Sequence, residues 1–279
     1  MTSFSDLLAG VSNGTLVPYL GPGVLAGVTE QGGSAPIPAD SDSLILALND
    51  GRPMAPKLMY EFPRAAMNLE LKKGRSFVTN ALDAIYGTKS WTRSALHDWL
   101  AAVKPGYVID INRDTQLQQS YADTDHYLIR GIARVGGTEY RFEIHEYKDG
   151  TYTEVGQEDL DVSKPVLFKP MGSPLPKPTY IASDADYVDY ITELMGGFAI
   201  PGPIKELRKG KQYLFMGLRL TRDTERMVLT DMIYAAGEPA GYVLLKEPNK
   251  KEERFCKRQN LEIIDADWTD LLAAREAAA

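Results

Sequence analysis

Along this chain, short apolar runs alternate with longer stretches whose apolar positions recur every three or four residues, the periods of strand and helix. The runs Leu16 to Leu20, Tyr107 to Ile111, Val166 to Phe168, Tyr213 to Met216, Tyr242 to Leu245 and Leu261 to Ile264 predict strands. Helical stretches fall near 61–86, 93–103, 184–195, 222–236 and 266–277, the last opened by Asp265 or Asp267 as a cap. Strands that alternate with helices predict a layered α/β protein with a mainly parallel sheet flanked by helices.

One region breaks this rhythm. Between residues 126 and 155, HYLIRGIARV and TEYRFEIHEY lead into a Lys148-Asp149-Gly150 turn and then TYTEV. Alternation around an Asp-Gly turn predicts an antiparallel hairpin, placed as an insertion over 126–160 within one domain spanning 1–279. Residues 29–57 are rich in Gly, Pro, Ser and Asp and predict a loop or lid, with a short helix only around Leu44 to Leu48. KPMGSPLPKPTY, residues 169–180, is a second irregular stretch, stiffened by its prolines.

Composition narrows the function classes. The 279 residues are 44% hydrophobic and 25% charged, ordinary for a globular protein, and hold no apolar run that would span a bilayer. A net charge of −7 argues against a nucleic-acid partner, since the basic-leaning segment 246–258 is diluted by its own glutamates. Cys256 is the single cysteine, which excludes an intramolecular disulfide and a cysteine-based zinc site. The opening MTSFSDLLAG has neither the basic nor the long apolar region of a secretory signal, and predicts an amphipathic helix in a cytoplasmic protein.

Candidate chemistry lies at four strand ends. In LGPGV, Gly21 and Gly23 permit a tight turn and close approach to a phosphate, with N–H groups from Val24 onward pointing at it. Pro22 has no N–H to offer, however, and no lysine completes a Walker sequence. VIDINRDTQ carries Asp110, Asn112 and Asp114 to a sheet edge where open α/β folds bind ligands. Asn112 suits a carboxamide, and Asp114 either accepts from a ligand or caps the following helix. VLFKPMGS runs into Gly172 and Ser173 past Met171, which takes no proton. YLFMGLRLTRDTE offers Gly217 for close approach to a ribose or phosphate, with charge from Arg219 or Arg222.

In this order the four segments resemble the sirtuin-like domain family of bacteria, whose fold is Rossmann-like and whose ligand is NAD. Leu16 to Gly23, LVPYLGPG, resembles the family's VPFLGAG, and Asp110 to Asp114 resembles TTNYD, whose Asn and Asp address the nicotinamide end. Lys169 to Ser173 resembles K-L-H-G-S, SDADYVDYI at 183–191 an aspartate-tyrosine helix start, and Phe215 to Asp223 F-L-G-Y-S-L-x-D with Gly217 in register. The resemblance implies that Gly21, Gly23, Val24, Asn112, Asp114, Gly172 and Gly217 hold the cofactor and that no metal is needed. It also exposes departures: the family's catalytic histidine falls on Met171, its GAG alanine on Pro22 and its following serine on Leu25. His97, His126 and His145 lie on no matching segment and are read as helix or hairpin surface residues, with His97 structural.

These departures imply a degenerate site, in an accessory protein that binds a protein partner without strong catalysis, with NAD or ADP-ribose as its candidate ligand. LVPYLGPG is similar to a sirtuin-like branch encoded among nitrogen-fixation genes, which implies nitrogenase or its assembly apparatus as partner. The alternative is an NAD glycohydrolase or deacylase that recruits Asp110, Asp114 or Asp184 as base. A third reading has the nucleotide site abandoned, with Pro22 or the 29–57 loop filling the cleft. In that case the hairpin tyrosines Tyr140, Tyr147 and Tyr152, expected to be exposed, would be the interface.

Overall fold

The computed structural model describes residues 2–278; Met1 and Ala279, at the ends of the expected domain, lie outside the described residues. Its strands are β1 (Leu16–Leu20), β2 (Tyr107–Asp110), β3 (His126–Gly131), β4 (Phe142–Lys148), β5 (Thr151–Val155), β6 (Val166–Lys169), β7 (Gly172–Ser173), β8 (Thr179–Tyr180), β9 (Gln212–Met216), β10 (Gly241–Leu244) and β11 (Leu261–Ile264). Nine form one sheet in the order β11-β10-β9-β1-β2-β6-β3-β4-β5, while β7 and β8 pair separately. From β11 to β3 all neighbours are parallel, and β4 and β5 close the edge antiparallel. This is a Rossmann-like α/β fold.

Alternate strand residues feed two cores, one on each face of the sheet. Leu16 and Leu20 of β1 join one cluster, and Val17 and Tyr19 join the other. Burial on both faces is the reason these strands read as unbroken apolar runs. Over the first face lie α1 (Phe4–Ser12), α2 (Ser41–Leu48), α3 (Pro56–Met59), α4 (Phe62–Lys73), α5 (Arg75–Asp83), α6 (Ala95–Val103) and α7 (Gln116–Ser120), together with the last helix, α12 (Trp268–Ala278). The second face is covered by α8 (Asp184–Gly196), α9 (Gly202–Leu207), α10 (Asp223–Met232) and α11 (Lys250–Arg258). None of the described helices is long and apolar enough to cross a membrane.

Local chemistry sets several boundaries. Gly74, at φ 88°, splits the helix expected over 61–86 into α4 and α5, and a π-turn at 84–88 follows. Asp267 rather than Asp265 caps α12, accepting from the Thr269 N–H at 2.8 Å. Asp149 and Gly150 both have positive φ, as the tight hairpin turn between β4 and β5 requires.

Three expectations are corrected by packing. HYLIRG is not an arm of a free excursion, because β3 lies parallel to β6 on one side and antiparallel to β4 on the other. The hairpin tyrosines are half-buried rather than exposed. Tyr147 stacks on His126 at 4.6 Å and Tyr152 at 4.8 Å, while Tyr140 leans on Phe142. All three histidines are buried rather than on the surface.

Candidate functional site

The chain leaves β1 toward β2 and returns to the other side of β1 through β9, so the strand order reverses beside β1. Open α/β sheets bind ligands at such a reversal, beyond the carboxyl ends of the strands. A cleft of about 530 Å³ opens there. Segments following β1, β2, β6, β9 and β10 line it together with residues from α2, α4, α10 and α12. Neither Pro22 nor the 29–57 segment fills it. Both line it, the latter through Ala39 to Asp42 and Leu44, while Leu44, Ile45 and Leu48 anchor α2 in the core.

The glycine loops face each other across the end of the sheet. Gly21 donates its N–H to the Met216 carbonyl at 2.9 Å, Gly23 to Gly217 at 2.8 Å, and Val24 to Gly21 at 3.2 Å. A Cβ on Gly23 would lie 2.9 Å from the Gly217 Cα, and one on Gly217, at φ 70°, would lie 2.4 Å from the Val24 nitrogen. These glycines therefore let two loops touch, and their N–H groups are spent inside the protein rather than held out to a phosphate. Gly23 and Gly217 line the cleft; Val24 is fully buried beneath it.

Beneath the loops sits an ion pair with no exposure at either side chain, Lys169 Nζ to Asp110 Oδ2 at 2.6 Å. The other Asp110 oxygen accepts from the Asn112 backbone and from Asn112 Nδ2, both at 2.9 Å. Nδ2 also reaches the Gly21 carbonyl at 3.0 Å. Asn112 lines the cleft with both amide protons committed, which leaves its carbonyl oxygen as the group it can offer. Lys169, Asp110, Asn112 and Gly21 thus bolt together the ends of β6, β2 and β1.

Asp114 does not share the cleft with Asn112. It lines a separate cavity of about 290 Å³, on the far side of Tyr86, which borders both. One oxygen accepts from the Gln116 N–H at 2.7 Å, from the position ahead of the N-cap Thr115, while the other is buried without a partner. Burial raises its carboxyl to about 6, against the opposing pull of Lys169. Gly172, at φ 86°, lines neither cavity. A Cβ there would lie 2.2 Å from the Thr179 carbonyl oxygen, so this glycine serves the β7–β8 pairing.

Further groups lie on the opposite wall. Met171, 3% exposed, lines it beside Arg113 and Tyr187. The Arg113 guanidinium donates to the Ile181 carbonyl and, at 3.2 Å, to the Tyr187 hydroxyl. Glu61 and Glu225 also line this wall, and the Thr224 hydroxyl donates to Glu61 at 2.8 Å. Burial, then the neighbouring Glu61 charge, raises the Glu225 carboxyl to about 7. Arg222 lies over the Tyr60 ring at 4.6 Å and has no carboxylate partner among the described residues. Glu225 ends the segment YLFMGLRLTRDTE, which is a usable signal; nothing local marks Glu61.

No histidine lines the cleft. His97 is buried with both ring nitrogens unpartnered, and desolvation depresses it to about 3. His126 and His145 belong to the β3–β5 edge, where burial lowers both. Among the described residues, no group of three or more His, Cys, Asp or Glu side chains is placed to hold a metal.

A parallel sheet with glycine loops closing over a reversal of strand order, and a cleft beyond it, defines a Rossmann-like α/β protein with its ligand site at the switch point. Within that class the relationship is more specific. A family model described as the SIR2-like domain matches residues 107–264, more than half of the chain, and the chain belongs to that family. The match covers three of the four strand-end segments and leaves LVPYLGPG outside it. No curated protein is found to match.

Proposed function

We propose that this SIR2-like chain binds NAD or ADP-ribose in the switch-point cleft and works as an accessory protein through a protein partner, without rapid cleavage of the nucleotide. The observation that carries this reading is Met171, a thioether on the cleft wall where no histidine stands. A thioether takes no proton, and loss of a positioned acid–base group typically costs about 100- to 10,000-fold in rate.

The cleft suits a nucleotide in size and position, since ligand sites usually run from about 300 to 1,000 Å³. With the glycine N–H groups committed, a pyrophosphate would be met by Arg222 and by the start of α10, which has no side-chain cap. Nitrogenase components are the proposed partner, on the similarity of LVPYLGPG alone. Calorimetry with NAD and ADP-ribose tests the first part, and a native pull-down the second. Absence of binding to both nucleotides would overturn the nucleotide reading, and failure to recover any partner would overturn the accessory role.

One observation favours the alternative, an NAD glycohydrolase or deacylase: a carboxylic acid poised near neutrality does face the cleft, and it is Glu225. Asp110 is occupied by Lys169, Asp114 opens on the other cavity, and Asp184 lines neither. On this reading, nicotinamide release from NAD is measurable and drops at least tenfold in Glu225→Gln; release unchanged by that substitution counts against it.

A further inference from the structure

A sheet's backbone runs out of partners at its edges, and one edge is bare here. β5 ends the nine-stranded sheet on its antiparallel side. Its five residues, TYTEV, pair with β4 without a bulge, from Lys148 opposite Thr151 to Ile144 opposite Val155. They include no proline and no lysine, residues that commonly blunt an edge. Thr151, Thr153 and Glu154 are exposed.

The turn decides which backbone groups point outward. In a hairpin closed by two residues, here Asp149 and Gly150, the flanking pair Lys148 and Thr151 exchanges hydrogen bonds, and every second pair after it does the same. Thr151, Thr153 and Val155 therefore bond to β4, whereas the N–H and carbonyl groups of Tyr152 and Glu154 face away from the sheet. The far side of β4 keeps the same parity: the carbonyl of Arg141, an odd-numbered position, accepts from the Ile132 N–H at 3.1 Å at the end of β3. Among the described residues, no hydrogen bond reaches the outward backbone groups of Tyr152 or Glu154.

We propose that β5 pairs antiparallel with β5 of a second copy of this chain, about a two-fold axis at Thr153, so that two sheets join into one. Self-pairing must set outward residues opposite outward residues, which restricts the register. Glu154 opposite Glu154 sets like charges together, and Tyr152 opposite Tyr152 runs Glu154 against the turn residue Gly150; either leaves part of the strand unpaired. Tyr152 opposite Glu154 pairs the whole strand and opposes no like charges. In that register Thr151 meets Val155 and Thr153 meets itself, β-branched neighbours of the kind that favours strand pairing.

Contact through one short strand is small beside the roughly 1,200–2,000 Å² of a stable interface, so the dimer is weak and concentration-dependent. Its formation does not depend on what the cleft binds.

Sedimentation equilibrium of the whole chain is the first test. The weight-average mass should start at the 30.9 kDa of one chain near about 1 µM and rise toward twice that value by about 500 µM. Glu154→Pro removes one outward N–H while sparing the bonds to β4, and edge strands tolerate proline at such a position. With a thermal melt like that of wild type, this variant should stay monomeric throughout. A wild-type mass fixed at that of one chain overturns the proposal, even if the edge takes up an extended peptide instead. So does a folded Glu154→Pro that dimerises like wild type.

A disulfide reads the register and holds the test even if Glu154→Pro fails to fold. Opposed residues of a non-hydrogen-bonded pair have Cα atoms about 4.5 Å apart, within disulfide reach. Thr153→Cys should therefore oxidise to a covalent dimer at least about tenfold faster than Thr151→Cys, whose two copies lie about 13 Å apart along the paired strands. Cys256, the single native cysteine, is buried and does not compete. Equal rates at the two positions overturn the proposal.

Discussion

The two walls of the cleft are built on opposite principles. On the wall that carries the glycine loops and Asn112, and in the layer buried behind it, nearly every polar group is consumed. Gly21, Gly23 and Val24 donate within and between loops, Asn112 spends both amide protons, and Asp110 is locked to Lys169. On the wall of α4 and α10, Arg222, Glu61 and Glu225 stand with little or no internal partnership. The committed groups all lie in motif-like segments, whereas of the groups free to meet a ligand Arg222 alone falls in one and Glu61 and Glu225 lie outside the matched residues.

If that contrast is right, substitutions on the first wall change stability and those on the second change binding. The largest effect is expected at Lys169. Lys169→Met leaves Asp110 buried and unpaired, and should cost about 3–5 kcal/mol in denaturant unfolding. Adding Asp110→Leu should recover much of that loss, since an apolar pair can replace a buried ion pair. A loss below about 1 kcal/mol for the single substitution would mean that the pair is not buried as described.

Next comes Gly217→Ala, which combines a positive φ with a Cβ 2.4 Å from the Val24 nitrogen. About 2 kcal/mol or more of stability should be lost, read from the urea midpoint at unchanged slope.

Asp114 gives a pH-dependent test outside both walls. Its folded carboxyl titrates near 6, above the unfolded value of about 3.9, so the folded protein binds the extra proton. Stability attributable to it is full below about pH 4 and is lost as pH rises through 6. Asp114→Asn keeps the bond from the Gln116 N–H and should therefore gain about 1–3 kcal/mol at pH 8 and nothing at pH 3.5, by thermal melts at the two pH values. An equal gain at both would disprove the cause.

The smallest change in stability is expected at Arg222, whose side chain makes no hydrogen bond among the described residues. Arg222→Ala should shift stability by less than about 0.5 kcal/mol while weakening ADP-ribose binding about tenfold or more. Reversal of those two outcomes would erase the distinction between the walls.

Local pattern reveals the sheet well. β1 and β11 begin and end where their apolar runs do, and the Asp149-Gly150 turn behaves as its chemistry requires. The glycine turn is visible too, but its task is not, because its N–H groups are taken by Met216 and Gly217 from a strand almost 200 residues later. Glu61 is invisible for the same reason: its partner, the Thr224 hydroxyl, lies 163 positions away. Burial of His97, His126 and His145 likewise depends on which helix and which edge covers them, which no local period encodes.

Everything turns on whether the cleft keeps its ligand and has lost rapid chemistry. One calorimetric titration with NAD, followed by chromatography of the same sample for nicotinamide, decides both at once. Saturable binding at a single site, with nicotinamide well below one equivalent per protein, is the expected result. No binding, or nicotinamide accumulating to many equivalents, would be incompatible with it.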